Sequence, residues 1–361
     1  MARSDLFREG VLLAGLTTLE VGGPARFVAE PSTPDELGEA LALARRLGLP
    51  LYPLGDGSNL VASDEGFDGI VLRPVGRALA ASREGDRVRL RAEAGVPWDD
   101  LVAHAVHEGL AGLECLSGIP GRVGAAPIQN VGAYGQEVAE TLRSVEVLDL
   151  GTGQPRTLDR EACGFGYRTS HFKGPWRGRH VVTAVEFELR RGPAAPLRYG
   201  DLTRHFGLGP DQPAPPLEEI RRAVLAVRRS KSMVWDPEDP NRRSAGSFFT
   251  NPVVPEAQVL EIRARAPEAP AHPLGGGRAR LPAAWLIEHA GFPKGYTRGR
   301  AGLSTNHVLA LVNRGGASAS ELLALAAEIR REVRARFGVL LEPEPNFLGF
   351  RDPVEDLLDR P

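Results

Sequence analysis

The segment from residue 119 to residue 135, IPGRVGAAPIQNVGAYG, constrains the fold more than any other stretch of this chain. Its glycines and alanines remove side-chain bulk, while Gln129, Asn130 and Tyr134 offer polar edges. Such a stretch permits the close approach of another backbone or of a large flat ligand. The residues alone leave two interpretations open: a loop packed tightly under a neighbouring strand, or one wall of a cofactor site.

A second glycine-rich segment, GDGSN at residues 55–59, follows a predicted strand. Several backbone N–H groups must point inward to bind a diphosphate, and only small residues let the chain approach closely enough. GDGSN is not the dinucleotide fingerprint, because no G-x-G-x-x-G opens a helix in this chain. A plain turn is the commoner explanation of such a sequence, and phosphate binding is the alternative.

Local patterns predict a mixed α+β fold. The capping box Thr33-Pro34-Asp35-Glu36 begins a helix that Gly48 ends, and a second capping box at Ser318 begins a long helix. Apolar periodicity predicts further helices at 97–108, 217–229 and 282–289, strands near 25–29, 51–54, 88–92, 145–150 and 181–189, and a strand-like VLLEPEPNFLGF segment at 339–350. Proline and glycine become more frequent after residue 190, which indicates a linker between domains.

Composition excludes several classes of protein. The 361 residues suggest two or three domains, and 44 basic against 46 acidic side chains create no global field for a nucleic acid or an anionic membrane. Cys115 and Cys163 fit neither a disulfide framework nor a zinc site. His104 and His107 stand one helical turn apart without a third ligand, so no metal is predicted. No membrane-spanning run or secretory signal is found, and we expect a cytoplasmic protein.

Three polar groups are candidates for chemistry. Ser247 in SAGSFFTNP could be a nucleophile, a proton donor or a turn residue, and no G-x-S-x-G elbow supports the first role. Arg168 in GFGYRTS is a fixed cation suited to a carboxylate or an enolate, or else a surface ion-pair partner. Glu342 and Glu344 lie on one side of an extended chain. They could be catalytic acids, or they could be solvated acids at the end of a strand.

Together with the opening LTTLEVGGPA at residues 16–25, these segments occur in an order that resembles the UDP-N-acetylenolpyruvoylglucosamine reductases over residues 16–350. The resemblance implies an α+β protein: a vanillyl-alcohol-oxidase-type FAD-binding fold of two subdomains plus a smaller α+β C-terminal substrate-binding domain. The expected division is an FAD-binding domain at 16–192, a connecting segment with a substrate-covering loop at 193–232, a substrate-binding domain at 233–340, and a C-terminal strand returning to the FAD-binding half at 341–361.

The resemblance also implies functional residues. The catalytic residues are Arg168, Ser247 and Glu344, and the substrate-binding residues are Tyr199 in a Tyr-Gly-Asp-Leu loop, Lys231, Asn251 and His307. The residues implied for FAD are Gly55, Asp56, Gly57, Ser58, Asn59, Gly121, Val123, Gly124, Ala125, Pro127, Gln129, Asn130, Gly132, Ala133, Tyr134 and Gly135.

By the same resemblance, NADPH reduces a non-covalently bound FAD, which then gives hydride to UDP-N-acetylglucosamine enolpyruvate. Arg168 and Glu344 stabilise the enolate, and Ser247 protonates it to give UDP-N-acetylmuramate, a peptidoglycan precursor. We expect a monomer whose partners are this small-molecule substrate and NADPH.

Two rival functions can be weighed from the residues. Covalent flavin oxidases of this fold family often tether FAD through a histidine in the first half, but His104 and His107 lie outside the glycine segments. A non-catalytic UDP-sugar-binding protein would be expected to lose at least one of Ser247, Arg168 and Glu344, yet all three occur.

Overall fold

The computed structural model describes residues 6–209 and 212–359, so the predicted ranges 193–232 and 341–361 are each described in part. The strands are β1 (Phe7–Leu12), β2 (Pro24–Ala29), β3 (Leu51–Pro53), β4 (Leu60–Ala62), β5 (Phe67–Leu72), β6 (Leu79–Glu84), β7 (Arg87–Glu93), β8 (Leu110–Ala111), β9 (Gly132–Ala133), β10 (Gln136–Glu137), β11 (Leu142–Asp149), β12 (Pro155–Asp159), β13 (His180–Arg191), β14 (Val253–Pro255), β15 (His272–Gly275), β16 (Arg278–Arg280), β17 (Thr297–Arg298), β18 (Ala301–Leu303), β19 (Leu311–Asn313) and β20 (Asn346–Leu348).

The α-helices are α1 (Pro34–Leu47), α2 (Trp98–His107), α3 (Gly200–Phe206), α4 (Leu217–Ser230), α5 (Glu256–Arg265), α6 (Ala283–His289), α7 (Ala319–Phe337) and α8 (Val354–Leu358). Short 3-10 helices cover Leu13–Leu16, Glu114–Leu116, Val123–Ala125 and Val138–Glu140. Among the described residues, no helix combines the length and the apolar character needed to cross a membrane.

The chain forms two compact units that are not contiguous in sequence. The N-terminal unit comprises residues 6–11, Ala25–Asp56 and Asp68–Trp235, and the C-terminal unit comprises Leu12–Pro24, Gly57–Phe67 and residues 236–359. Two segments from the first fifth of the chain therefore belong to the C-terminal unit. The boundary between Asp56 and Gly57 divides the GDGSN segment between the units.

The N-terminal unit is built on two sheets. The smaller has the order β1-β2-β5-β3, with β3 and β5 parallel, and buried side chains of α1 join Ile70 and Leu72 in its core. The larger has the order β12-β11-β13-β7-β6, and β8 pairs with β13. Helix α2 places the fully buried Trp98 edge-on to Phe187 of β13, with ring centroids 6.0 Å apart. The Trp98 indole also donates to the Leu116 carbonyl at 3.0 Å, which fixes the chain just before the small-residue segment 119–135.

The C-terminal unit contains three small sheets, ordered β14-β16-β15, β17-β18-β19 and β20-β4, the last of which is parallel. Helix α7 supplies much of the core, because Leu322, Leu325, Ile329 and Val333 recur at helical spacing and are fully buried. Strand β20 pairs with β4, which directly follows the GDGSN segment. The end of the chain is thereby joined to that segment.

The predicted helix ends are confirmed where caps marked them. The Thr33 side chain accepts from the Glu36 N–H, Gly48 ends α1 at φ +64°, and both capping-box bonds of Ser318 are present. The long strand expected over 339–350 is wrong in extent, because only Asn346–Leu348 pairs as a strand. Prolines at 343 and 345 remove two backbone donors, so strand pairing before Asn346 is limited to an isolated bridge between Phe249 and Pro343.

Candidate active site

The two segments expected to line a diphosphate approach each other inside the N-terminal unit. The Arg122 guanidinium donates from Nε to Asp56 at 2.5 Å, and a Cβ built on Gly55 would lie 3.4 Å from the Cβ of Ala125. Arg73 lies 3.6 Å from Asp56 and binds Glu30 at 2.7 Å, and Arg8 binds Glu30 at 2.8 Å, so each arginine at this point is paired with a carboxylate. Any affinity for an anion here must therefore come chiefly from backbone donors.

Such donors are present in the N-terminal unit. Within the described parts of the chain, the N–H groups of Gly55, Asp56 and Gly121 donate no hydrogen bond. A Cβ on Gly55 would make only ordinary contacts, with the Cβ atoms of Ala125 at 3.4 Å and Arg122 at 3.9 Å among the described residues. Buried or half-buried backbone donors require partners, so these groups fit the phosphate oxygens of a dinucleotide cofactor.

Close packing alone requires glycine at two positions of the predicted cofactor segments. A Cβ on Gly57 would lie 2.1 Å from the Leu16 carbonyl oxygen, and one on Gly124 would lie 2.6 Å from the Ala94 Cβ. By contrast, Gly135 is exposed at φ +87° with open space around it. Close packing therefore accounts for glycine at 57 and 124, whereas Gly55 and Gly135 have room on the Cβ side, and a contact of any of the four with a cofactor stays a prediction.

Asn130 holds the small-residue segment in shape. This buried residue adopts φ +48°, and its amide donates to Glu137 at 2.8 Å and to the Gly166 carbonyl at 3.1 Å. Its Oδ1 also accepts from the N–H of Ala139 at 3.0 Å. The side chain thus joins the β9–β10 hairpin to the turn that carries Arg168, and a contact of Asn130 with a cofactor stays a prediction.

Arg168 is fixed against the same segment. Its backbone lies in the left-handed region at φ +54°, and its Nη2 donates to the Gly132 carbonyl at 2.7 Å. The guanidinium also lies over the Tyr167 ring, 5.3 Å from the centroid. A non-glycine residue in this region is uncommon and marks a conformation imposed by its surroundings. The structure therefore brings two predicted site segments together in the N-terminal unit.

A cation–phenol cluster, defined by Tyr134, Tyr199, Asp201, Arg228 and Lys231, forms a second part of that unit. The two phenol rings meet edge to face at 5.2 Å, and Lys231 Nζ lies 2.6 Å from Asp201. Burial raises the pKa of Tyr134, and the charges of Arg228 and Lys231 oppose that rise. Three predicted residues, Tyr134, Tyr199 and Lys231, are thereby assembled around positive charge.

Arg228 is the member of this cluster that sequence reasoning missed. Burial lowers its pKa, its Nη2 donates to the Met233 carbonyl at 2.5 Å, and its buried Nε finds no acceptor among the described residues. An unpartnered buried donor in a site invites an anionic or carbonyl group. Its position three residues before Lys231 was the available sequence signal for a role in the same site. In a chain so rich in arginine, that position does not distinguish Arg228 from other arginines.

The predicted Tyr-Gly-Asp-Leu loop is a helix rather than a loop. Tyr199 is the N-cap of α3, Leu202 is completely buried, and Gly207 ends the helix at φ +64°. The buried leucine explains the difference, because its side chain holds this segment as a helix. The prolines before it had favoured an irregular loop. Tyr199 itself is 45% exposed, and its contact with the substrate stays a prediction.

In the C-terminal unit, Ser247 stands on a turn with both flanks fixed. Gly246 before it has φ +73°, and Phe248 after it is buried and donates its N–H to the Leu309 carbonyl at 2.7 Å. Among the described residues, the half-buried Ser247 hydroxyl has no hydrogen-bond partner. A rigid, uncommitted hydroxyl of this kind is available to a ligand.

Glu344 lies beside that turn. Its backbone N–H donates to the Phe248 carbonyl at 2.9 Å, and Phe249 forms a bridge with Pro343. The side chain of Glu344 is half-buried, whereas Glu342 is exposed. The structure thus brings two predicted catalytic residues, Ser247 and Glu344, onto paired segments of one unit, and a catalytic role for Glu344 stays a prediction.

The remaining predicted residues of the C-terminal unit have structural partners. Asn251 accepts from the N–H of Ala283 at 2.9 Å and so caps the first turn of α6. His307 is half-buried in the loop between β18 and β19, where its N–H lies 3.3 Å from the Ser304 hydroxyl. Gly57, Ser58 and Asn59 belong to this unit, whereas Gly55 and Asp56 belong to the other.

Other reactive groups are inert in this setting. Cys115 and Cys163 are buried, and burial raises the pKa of both thiols, that of Cys163 to about 12. Such thiols carry little thiolate and are poor nucleophiles. No group of three or more metal-ligating side chains could hold an ion within residues 6–209 and 212–359.

Comparison with known proteins adds the decisive observation. A family model described as the C-terminal domain of UDP-N-acetylenolpyruvoylglucosamine reductase matches residues 237–348, and one described as an FAD binding domain matches residues 25–159. UDP-N-acetylenolpyruvoylglucosamine reductase of Thermobifida fusca is 50% identical over 353 residues, covering 95% of this chain and 98% of that protein. The chain belongs to the UDP-N-acetylenolpyruvoylglucosamine reductase family.

A further reductase of this family, from Saccharopolyspora erythraea, is 49% identical and covers 93% of this chain and 94% of its own length. The crystal structure of UDP-N-acetylenolpyruvylglucosamine reductase from Thermus caldophilus matches with a TM-score of 0.64 and 31% identity, covering 95% of this chain and all of that one. These matches confirm the predicted family and the α+β FAD-binding fold. The protein is a flavin-dependent oxidoreductase.

Proposed function

We propose that this protein reduces UDP-N-acetylglucosamine enolpyruvate to UDP-N-acetylmuramate, with FAD as cofactor and NADPH as the source of electrons, in peptidoglycan precursor synthesis. The observation that carries the proposal is the uncommitted hydroxyl of Ser247 on a rigid turn whose next residue is bonded to Glu344. The reductase names of relatives aligned over nearly the whole chain support the substrate.

FAD would be held by backbone donors and by the small-residue segment. The N–H groups of Gly55, Asp56 and Gly121 are suited to its diphosphate, and the stretch from Val123 to Gly135 is suited to its ring system. When bound, the flavin supplies two-electron redox chemistry between the nicotinamide and the substrate. The chain's own part is to position, to stabilise charge and to supply a proton.

Arg168 would stabilise negative charge that develops on the substrate's carboxylate and enolate oxygens. Its guanidinium is held by the Gly132 carbonyl and the Tyr167 ring, so little reorganisation is needed when that charge appears. An arginine also stays charged at any physiological pH, and its planar guanidinium can bind two oxygens at once.

Ser247 would be the proton donor, passing the proton of its Oγ to the enolate carbon. This role needs correct position rather than a strongly acidic group, and the bonds at Phe248 and Glu344 supply that position. Glu344 would act beside it as the second stabilising residue of the C-terminal unit. Asn251 and His307 of the same unit would contact the substrate.

The cation–phenol cluster would bind the UDP part of the substrate. Lys231 and Arg228 offer positive charge for a diphosphate, and Tyr199 offers an exposed ring for a base or a phenol for a phosphate oxygen. The site is expected to operate in the cytoplasm, where nucleotide sugars and NADPH are available.

The test is an anaerobic titration of the purified protein followed in the visible spectrum. NADPH should bleach an oxidised-flavin absorbance, and the enolpyruvyl substrate should then restore it stoichiometrically. UDP-N-acetylglucosamine without the enolpyruvyl group is the matched control and should restore nothing. A protein without flavin absorbance, or one whose reduced flavin responds only to oxygen, would contradict the proposal, and parallel titrations with NADH would decide the nicotinamide preference.

A further inference from the structure

A closed circuit of hydrogen bonds connects three site segments in the C-terminal unit, and Thr18 is its junction. The Thr18 hydroxyl donates to the Ser244 carbonyl at 2.6 Å, three residues before Ser247. The Thr18 backbone N–H donates to the Gly57 carbonyl at 3.2 Å. One residue thus joins the turn of the predicted proton donor to the end of the glycine segment.

The circuit closes through Glu344. The Glu344 N–H donates to the Phe248 carbonyl at 2.9 Å. The C-terminal segment also binds Asn59 twice: the Asn346 N–H donates to the Asn59 carbonyl at 3.0 Å, and Asn59 Nδ2 donates to the Glu344 carbonyl at 3.4 Å. The glycine segment is therefore held at Gly57 by Thr18 and at Asn59 by the C-terminal segment. Ser247 lies between Ser244, which Thr18 binds, and Phe248, which Glu344 binds.

Packing leaves this junction little freedom to move. A Cβ on Gly57 would lie 2.1 Å from the Leu16 carbonyl oxygen, so the two backbones are already in close contact. On the other side, Asn313 donates to the Leu19 carbonyl at 2.9 Å, and Glu20 pairs with Arg243. The Thr18 hydroxyl is consequently presented to Ser244 by a segment fixed on both faces.

We infer that Thr18 is a positioning residue for Ser247. Its hydroxyl fixes the Ser244 carbonyl, and through the short chain Ser244-Ala245-Gly246 it sets where the Ser247 hydroxyl stands relative to Glu344. Ser244 has two further backbone attachments in the described part of the chain, its bridge to Val312 and its N–H bond to the Arg242 carbonyl. Loss of the threonine hydroxyl would remove one of the attachments that fix the start of the turn, so the Ser247 hydroxyl would shift relative to Glu344; the inference rests on the proposed role of Ser247.

The experiment compares Thr18→Val, which keeps the shape and removes the donor, with Thr18→Ser, which keeps the donor. Thr157→Val on the exposed face of β12 is the control. Each protein is measured anaerobically by rapid mixing for flavin reduction by NADPH and for reoxidation by the enolpyruvyl substrate. FAD dissociation constants and the solvent deuterium isotope effect on reoxidation are recorded as well.

Thr18→Val should slow reoxidation about ten- to a hundredfold, as expected when a reacting group is displaced by a fraction of an ångström to one ångström. Flavin reduction and FAD affinity should stay within about twofold of the wild type. The isotope effect on reoxidation should rise, since proton transfer becomes more rate-limiting, and Thr18→Ser should recover most of the rate.

Several results would overturn the inference. Thr18 would have a merely structural role if the substrate reoxidised Thr18→Val as fast as Thr157→Val, or if Thr18→Ser did not restore the rate. The same conclusion would follow if both half-reactions and FAD affinity fell in parallel. If Thr18→Val does not fold, Thr18→Ala replaces it. Failure of both variants to fold would likewise assign Thr18 a merely structural role. A wild type that the substrate does not reoxidise would overturn the proposed function itself, and the inference with it.

Discussion

Lys231 and Asp201 form an ion pair in which Nζ lies 2.6 Å from Oδ2. Burial opposes the charge of Lys231, but the hydrogen bond and the charge of Asp201 outweigh it, so its pKa is raised. Arg204 binds the other oxygen of Asp201 at 2.6 Å and thereby fixes the carboxylate. The lysine thus remains cationic at neutral pH and is held in place before any ligand arrives.

Lys231→Met should raise the KM for the UDP-linked substrate about ten- to a hundredfold, the loss expected for one charge-assisted hydrogen bond. Flavin content and flavin reduction by NADPH should be unchanged. Steady-state kinetics together with the visible spectrum check this expectation. Lys294→Met, at an exposed lysine, is the control and should behave as the wild type. An unchanged KM would remove Lys231 from substrate binding.

Ser247→Ala should leave flavin reduction by NADPH near normal and slow reoxidation by the substrate about 10²- to 10⁴-fold, the usual contribution of a general acid. The substitution removes a hydroxyl without a partner among the described residues, so stability should hardly change. Rapid-mixing absorbance separates the two half-reactions. Ser82→Ala on the exposed strand β6 is the matched control. An unaltered reoxidation rate would exclude Ser247 as the proton donor.

Local signals carried the sequence prediction, and long-range contacts limited it. Thr33, Gly48 and Ser318 mark helix ends through bonds to near neighbours, so their effect can be read from a few residues. The assignment of Leu12–Pro24 to the C-terminal unit depends on contacts such as Thr18 with Ser244, 226 positions apart. No periodicity or spacing encodes such a contact.

The candidate site shows the same division. Motifs identified Ser247, Arg168 and Glu344 because each stands in a short, distinctive string. Arg228 and Thr18 were missed, since an arginine near a helix end and a threonine in a turn are ordinary in sequence. Their significance arises from an unpartnered buried nitrogen and from a bond to a distant carbonyl, which only the fold reveals.

Gly55→Ala distinguishes a glycine kept for a ligand from one kept for packing. The added methyl would make an ordinary contact with Ala125, so the apo-protein should fold normally. FAD affinity should nevertheless fall about ten- to a hundredfold, because a methyl group would occupy space required by the diphosphate. Fluorescence titration of apo-protein with FAD measures the change. Wild-type affinity would show that Gly55 does not approach the cofactor.

Two further substitutions calibrate that result. Gly57→Ala should cost at least about 3 kcal/mol of unfolding free energy, because its methyl would overlap the Leu16 carbonyl at a backbone φ of +63°. Gly38→Ala in α1 meets nothing within 4 Å and should instead stabilise by about 0.5–1 kcal/mol. Chemical denaturation of the apo-proteins gives both values.

His180 predicts a pH dependence of stability that is independent of catalysis. It faces Asp149 across the β11–β13 pair, its side chain is 2% exposed, and neither ring nitrogen has a hydrogen-bond partner among the described residues. Burial lowers the pKa of His180, although Asp149 opposes this, and hydrogen bonds to the Thr152 N–H and Arg179 hold the pKa of Asp149 at about 2. The fold therefore favours the charged form of Asp149 and disfavours the charged form of His180.

As the pH falls below about 6.5, the unfolded chain takes up a proton on this histidine and the folded chain resists doing so. The unfolding free energy should consequently decrease on acidification, by at most about 1.4 kcal/mol per pH unit for this one proton. His180→Phe keeps a ring among Phe172 and Trp176 and should remove that part of the slope between pH 5 and pH 7. Denaturation at several pH values measures the slope, and His272→Gln, at an exposed histidine, should retain it. A slope that His180→Phe leaves intact would mean that the proton is taken up elsewhere.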